Sequence, residues 1–204
     1  MTLTITHIND LVARCQKGDQ RAQMEVYERY YKLMYNTSIR IVKDTAEAED
    51  IMQEAFLKAF SKINTLQEVS TFGGWLKRIV VNLSINSFNN KTKLNEVTYN
   101  DDLKNKANEN EGIILENDSK DEKVKKILTT FNSLKENYRV ALTLHLIEGY
   151  DYEEIGEILN LSYANCRTTI SRAKESLRKK LLKDETGMMP NIKTGKKPER
   201  NNNL

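Results

Sequence analysis

Residues 151–182, DYEEIGEILNLSYANCRTTISRAKESLRKKLL, decide the fold, because they spell a short helix, a tight turn and a second, basic helix. Asp151 is placed to cap the first helix and Glu154, three residues on, to close a capping box, while Ile155, Ile158 and Leu159 form one apolar edge. Asn160 ends that helix, since asparagine is second only to glycine in tolerating the left-handed conformation past a helix end. Leu161 is expected to fill a buried turn position, and Ser162 to cap the second helix. That helix buries Cys166, Ile170, Ala173, Leu177 and Leu181, the stripe that a period of 3.6 brings to one side. Its other faces carry Arg167, Arg172, Lys174, Arg178, Lys179, Lys180 and Lys183 against the single acid Glu175, with Asn165, Thr168, Thr169 and Ser171 near the N-terminal end. In a helix-turn-helix that end enters the major groove of DNA. The plain alternative is an amphipathic hairpin with a solvated lysine face, which leaves the coincidence of caps, turn and one-signed charge unexplained.

Composition sets the outer limits. A chain of 204 residues with 39% hydrophobic residues can build one or two small domains, and two prolines, eight glycines and long helical periodicities make it all-α. The formal charge of +3 hides an asymmetry: acid collects in the middle of the chain and base in the last long helix. No apolar run is long enough to span a bilayer and no signal peptide opens the chain, so a cytoplasmic location is expected. Cys15 and Cys166 fall on apolar stripes and read as small buried hydrophobes of a reducing compartment, not as a disulfide. His7, His145 and two distant cysteines make no metal cluster, and there is no phosphate-cradling loop or Ser, His and Asp constellation. The expectation is a protein that is no enzyme, has no metal, cofactor or small-molecule substrate, and needs a macromolecular partner to act.

Ahead of that stretch, a short helix runs through Ile8, Leu11, Val12 and Cys15 to Gly18, and Asp19 caps the next. From Gln20 to Lys43, Met24, Tyr27, Tyr30, Tyr31, Met34, Tyr35, Ile39 and Val42 recur at three and four, predicting a long helix with a broad buried face. Asp44 and Glu47 open a further helix whose core stripe is Ala48, Ile51, Met52, Ala55, Phe56, Ala59, Phe60 and Ile63. Its opposite side begins with Glu47, Glu49, Asp50, Gln53 and Glu54 and then turns Leu57 outward, a composition suited to docking on a basic partner surface. Acids near a helix N-terminus also complement the dipole, which accounts for Glu47 but not for Gln53 or Leu57.

Residues 64–71 read as a polar loop, followed by a helix to about Asn89 with Phe72, Leu76, Ile79, Val80 and Leu83 on its core side. Trp75, Arg78, Asn82, Asn86 and Asn89 form a second stripe, with Lys77 beside it. An aromatic ring, cations and amides along one exposed side are what single-stranded DNA requires: stacking, phosphate neutralisation and base-edge hydrogen bonds. A half-buried Trp on an ordinary polar face is the alternative. Between Glu96 and Glu122 nine acids stand against three lysines, so a flexible acidic linker is expected over 94–121. Helices resume with Val124, Ile127, Leu128 and Phe131, then with Tyr138, Ala141, Leu144, His145 and Ile147 up to Gly149. Residues 184–204 read as a disordered tail. The whole is two small helical domains, 8–93 and 122–183, joined by the linker.

The chain resembles the bacterial RNA polymerase sigma factors of the short, extracytoplasmic-function group, which keep only the second and fourth sigma regions. Residues 44–60, DTAEAEDIMQEAFLKAF, resemble the family's core-polymerase-binding helix, and by that likeness Asp50, Gln53, Glu54 and Leu57 dock on the clamp coiled coil of the β′ subunit. Phe72, Trp75, Leu76, Ile79 and Asn82 match the helix that melts and reads the minus-ten element, which implies minus-ten contacts for Trp75, Lys77, Arg78, Asn82 and Asn86. A base flipped from the non-template strand would sit by residues 64–71. Residues 152–181 are similar to the helix-turn-helix that holds the minus-thirty-five element, implying contacts for Asn165, Arg167, Thr168, Ser171, Arg172 and Lys174. The partners implied are core RNA polymerase, through its β′ clamp and β flap, promoter DNA both duplex and single-stranded, and an anti-sigma factor.

Three features depart from the family pattern. Asn86 and Asn89 stand where an acid and then an arginine are usual, Asn160 replaces the turn glycine, and Thr169 sits where a recognition arginine is common, leaving upstream contacts to Arg167 and Arg172. Two other functions fit parts of the chain. A conventional helix-turn-helix regulator needs neither the acidic docking face nor the Trp75 stripe. A sigma mimic that sequesters an anti-sigma factor fits the lost charges at Asn86 and Asn89, but not the cations kept on the last helix.

Overall fold

The structure, a computed structural model, describes residues 7–98 and 122–186, and every regular element among them is helical. Most of the stretch expected as linker, and all of the expected tail beyond Thr186, lie outside the described residues.

Four helices form the first half: α1 (Ile8–Gln16), α2 (Gln20–Val42), α3 (Thr45–Lys62) and α4 (Phe72–Thr98). Local chemistry sets their ends. Gly18, at φ +81°, reverses the chain after α1, and Asp19 accepts the N–H groups of Arg21 and Ala22 at 2.9 and 3.2 Å to start α2. Asp44 does the same for α3 through the Glu47 N–H at 3.0 Å. Helix α4 runs nine residues past the Asn89 expected as its end, into the stretch assigned to the linker.

Leu11, Val26, Met34, Met52, Phe56, Phe72 and Leu76 are core residues of this half. The α3 stripe is buried as expected, with Phe60 half-buried at its edge. The α2 face is narrower than its aromatic spacing suggests: Met24 is 60% and Tyr31 45% exposed. Met34 and Ile39 of that stripe are buried, and Ala22, Val26, Thr37, Ser38 and Ile41 turn inward beside them. Small polar residues let α2 and α4 approach closely, and the buried Ser84 hydroxyl donates to Ser38 Oγ at 3.0 Å. The loop after α3 is less polar than expected. It contains two 3₁₀ turns and anchors on buried Leu66, while Gln16 donates to the Ile63 and Leu66 carbonyls at 3.2 and 3.0 Å.

The second half comprises α5 (Glu122–Asn132), α6 (Glu136–Leu142), which widens into π-helical turns at Thr143–Ile147, α7 (Tyr152–Leu159) and α8 (Tyr163–Thr186). Its core contains Phe131, Val140, Leu142, Leu144, Ile155, Cys166 and Ile170. Val124, Ile127 and Ile147 are exposed, whereas Arg139, Thr143 and Glu148 are buried. The two halves touch: Ile41, Val81 and Ile85 of the first belong to the same apolar cluster as the core of the second. Both cysteines are free and buried, and burial pushes the Cys15 thiol up to about 11 and raises that of Cys166. Among the described residues no helix is long and apolar enough to cross a membrane.

Candidate nucleic-acid and polymerase interfaces

The helix-turn-helix is built by local bonds. Asp151 Oδ1 accepts the N–H groups of Glu153 and Glu154 at 2.9 and 2.8 Å, and Glu154 Oε2 accepts the Asp151 N–H at 3.0 Å, completing the capping box. Asn160 adopts the left-handed conformation at φ +53°, and the Leu161 N–H closes the turn on the Gly156 carbonyl at 2.8 Å. Leu161 is half-buried, not buried, because the turn lies at the edge of the core. Ser162 Oγ accepts the Asn165 N–H at 3.3 Å and starts α8. Sequence reasoning missed Gly156, although a glycine inside a helical stripe is itself a signal of close approach. A Cβ there would stand 2.9 Å from the Leu161 carbonyl oxygen, so the turn leaves no room for one.

This frame holds α8 with Cys166, Ile170 and Ala173 buried and Asn165, Arg167, Thr168, Ser171, Arg172 and Lys174 exposed. Thr168 turns its hydroxyl back to the Ala164 carbonyl at 2.8 Å. None of the described residues pairs with Arg167, Arg172 or Lys174, whereas Arg178 is held by Glu175 at 3.0 and 3.1 Å. The N-terminal end of α8 is thus a cationic surface that no acid among the described residues neutralises, beside hydroxyl and amide groups.

On α3, Asp50, Gln53, Glu54 and Leu57 share the exposed side, Leu57 with 72% of its surface open. Glu54 has a partner of its own, Lys58, at 2.7 Å. Glu47 does not join this face, because its carboxylate accepts from Ser87 and Lys91 of α4 and ties the two helices together.

The α4 stripe is in a different state. Asn82, Asn86 and Asn89 are at least partly exposed, and Trp75 is half-buried with its ring 6.0 Å from that of Phe72. Lys77 and Arg78, expected on an open face, are engaged by the second half. Lys77 Nζ donates to the Glu148 carbonyl at 2.9 Å and lies 5.7 Å from the centre of the Tyr150 ring, and Arg78 meets Glu157 of α7 at 3.1 Å. A cleft of about 390 Å³ between the halves is lined by Thr71, Gly74, Trp75, Lys77, Arg78, Tyr150 and Glu154. Burial, and then the nearby Glu148 and Glu154, raise the Tyr150 hydroxyl pKa.

Beneath that cleft, Glu148 accepts from Arg40 at 3.2 Å and from the Thr37 hydroxyl at 3.4 Å, with Lys77 Nζ at 3.7 Å. Arg139, 2% exposed, donates to the Arg40 carbonyl and, at 3.0 Å, to that of Ile41, two of the carbonyls that the end of α2 leaves open. Burial pushes the Arg139 guanidinium down to about 10, still charged at neutral pH. Lys43 is lowered by burial and then by Arg139, and it donates to the Asn132 carbonyl at 2.9 Å.

Known proteins share this architecture. The family description Sigma-70 region 2 matches residues 26–93, and Sigma-70, region 4 matches residues 125–177. The chain is 30% identical over 190 residues to the RNA polymerase sigma-H factor of Pseudomonas aeruginosa, an alignment covering 88% of this chain and 96% of that one. It is 32% identical over 155 residues to the ECF RNA polymerase sigma factor SigM of Bacillus subtilis, covering 76% and 91%. Among solved structures, the sigma factor RpoE in complex with the anti-sigma factor NepR from Bartonella quintana superposes with TM-score 0.54 at 19% identity, over 78% of this chain and 96% of that one. CnrH in complex with the cytosolic domain of CnrY superposes with TM-score 0.52 at 20% identity, over 87% and 98%. Two region matches at the two helical halves, with full-length relatives at this identity, settle the family: the chain belongs to the extracytoplasmic-function sigma factors, the proteins that direct RNA polymerase to promoters.

Proposed function

We propose that this sigma factor works through three surfaces on two domains, 8–93 and 122–183, with residues 94–121 linking them. The exposed side of α3 docks on core polymerase, with Asp50, Gln53 and Glu54 facing the basic β′ clamp coiled coil and Leu57 as the apolar anchor. The α4 stripe of Trp75, Lys77, Arg78, Asn82 and Asn86 holds the melted minus-ten strand. Asn165, Arg167, Thr168, Ser171, Arg172 and Lys174 of α8 grip the minus-thirty-five duplex, and the second domain seats on the β flap. Strand separation is captured by stacking and phosphate contacts, with no hydrolysis by this chain. The protein acts in the cytoplasm beside polymerase. An anti-sigma factor is a fitting regulator, because the RpoE structure named above is a complex with one.

The observation that carries this reading is the N-terminal end of α8, where Arg167, Arg172 and Lys174 stand exposed with no acid among the described residues to neutralise them. Such a surface costs little to place against phosphate and gains by releasing counterions. The test is run-off transcription from a library of promoter-like DNA, using core polymerase with and without the protein. New start sites sharing a pair of upstream motifs are the expected result. Binding to core polymerase without initiation would instead favour a sigma mimic, with Asn86 and Asn89 as the altered positions. Asp50→Arg or Gln53→Arg should abolish core binding while leaving helix content unchanged; wild-type affinity in both would remove α3 from the docking surface.

A further inference from the structure

We propose that Tyr163 is a base-reading residue of the second domain, its ring set against the 5-methyl group of a thymine in the upstream duplex. This rests on the reading of α8 as the helix that grips the minus-thirty-five element, and it adds an apolar, sequence-selective contact to a surface otherwise made of cations, amides and hydroxyls.

Tyr163 is the first residue of α8, next after the Ser162 cap, and so stands at the end of the helix that enters a major groove. It is 51% exposed, and the residues that α8 buries begin only with Cys166. From Ala164 to Glu175 the other side chains outside the core are polar, charged or alanine, so within 163–175 Tyr163 is the one large apolar group turned outward. Arg167 lies one helical turn on, on the same side, which sets a ring and a cation next to each other.

A column of rings holds Tyr163 in place. Its ring meets that of Tyr152 edge to face, with centroids 6.2 Å apart and planes at 84°. Tyr152 opens α7 as Tyr163 opens α8, so the turn between the helices brings their first residues together. Tyr152 in turn stacks on His145, at 5.0 Å and 25°. His145 Nδ1 donates to the Tyr150 carbonyl at 3.1 Å, a direction set by the carbonyl, which can only accept. Tyr150 is buried, and its N–H is bonded to the Leu144 carbonyl at 3.0 Å. The column is therefore rooted in core backbone and ends in a solvent-facing ring. A ring fixed in this way has little rotamer freedom left to lose on binding. Thymine alone among the four bases presents a methyl group in the major groove, and an apolar side chain is its complement.

The experiment measures binding of holoenzyme, formed with core polymerase, to promoter DNA carrying the upstream motif that run-off transcription defines. Each thymine of the motif is replaced singly by uracil, which pairs alike and lacks only the methyl group. Burial of one methyl is worth about fourfold in affinity, so one such replacement should weaken wild-type binding by about that factor. Tyr163→Ala should bind the unmodified promoter about fourfold or more weakly and be indifferent to that replacement, with wild-type helix content by circular dichroism. Tyr163→Phe keeps the ring and should retain both the affinity and the preference for thymine. The uracil series on the wild type needs no variant, so a Tyr163→Ala protein that fails to fold does not end the test. A motif with no thymine, or none sensitive to uracil, overturns the proposal, and so does a Tyr163→Ala protein that still tells thymine from uracil. A loss in Tyr163→Phe as large as in Tyr163→Ala also overturns it, because the hydroxyl on a phosphate would then be the contact. Arg167→Ala and Arg172→Ala test the underlying reading separately: undiminished promoter binding in both removes α8 from the duplex, whereas losses there beside an inert Tyr163 remove Tyr163 alone.

Discussion

Helices α4 and α8 carry the same kinds of side chain and hold them in opposite states. On α8, Arg167, Arg172 and Lys174 face solvent with no partner among the described residues. On α4, Lys77 and Arg78 are bonded to Glu148 and Glu157 of the other domain. An unpaired surface cation meets a phosphate at the cost of ordering one side chain, whereas a paired one must first give up its acid. On the function proposed above, the cations of α8 meet phosphate as they stand, and those of α4 only after leaving their acids. Four substitutions probe that contrast.

The largest effect is expected at Gly156, the fulcrum of the α8 side. Alanine would bring a Cβ within 2.9 Å of the Leu161 carbonyl, a backbone atom that cannot swing away. Overpacking of this kind costs about 1 to 3 kcal/mol, and here it also tilts the recognition helix. Gly156→Ala should lower the melting temperature and abolish upstream duplex binding, while residues 44–60 still bind core polymerase. Wild-type duplex affinity would show that the turn can spread and that α8 does not depend on it.

Arg172→Ala comes next, with a loss of about 1 to 3 kcal/mol in promoter binding if the side chain reads a base. Quantitative binding to cognate and scrambled duplexes separates the two roles: a loss confined to the cognate sequence marks base reading, and an equal loss on both marks a phosphate contact. Ser162→Ala should cost about 1 kcal/mol, since Ser162 satisfies the Asn165 N–H at the start of α8. Urea unfolding measures it. A change of that size in stability with duplex binding intact would confirm that the cap supports α8 without itself touching DNA.

How much was legible in the sequence divides along the same line. The α7–α8 unit was readable because its determinants are local: Asp151 with Glu154, Asn160 at the turn and Ser162 with Asn165 all act within three residues. Helix α3 was readable because its buried stripe and its exposed acids each keep one period along a single helix. The state of α4 was not readable. Lys77 is 71 residues from Glu148, and Arg139 lies 98 residues from Ile41, and no pattern along the chain announces such pairs. Val81 and Ile85 were missed because a 3.6 stripe on α4 already had one core to face, and their burial comes from a second domain. On α5, helical spacing was readable but burial was not, since Val124 and Ile127 keep the period and stay exposed.

The smallest effect tests the contrast at its weakest point, the Arg78–Glu157 pair. Both side chains are more than half exposed, at 52% and 72%, so water screens the pair and it is worth roughly 0 to 1 kcal/mol. Glu157→Gln keeps the size of the side chain and removes only its charge, leaving Arg78 as open as the cations of α8. Binding of a single-stranded minus-ten oligonucleotide should then tighten by no more than about fivefold at low salt. The difference from wild type should fade by about 0.5 M salt, where the screening length falls to roughly 4 Å. Glu148 stands differently, because it is buried and its partners lie in a joint that salt reaches poorly, so its variants should keep their effect at the same ionic strength. If Glu157→Gln matches a Glu148→Lys variant in size and salt resistance, the exposed pair and not the buried cluster governs access to the cations of α4.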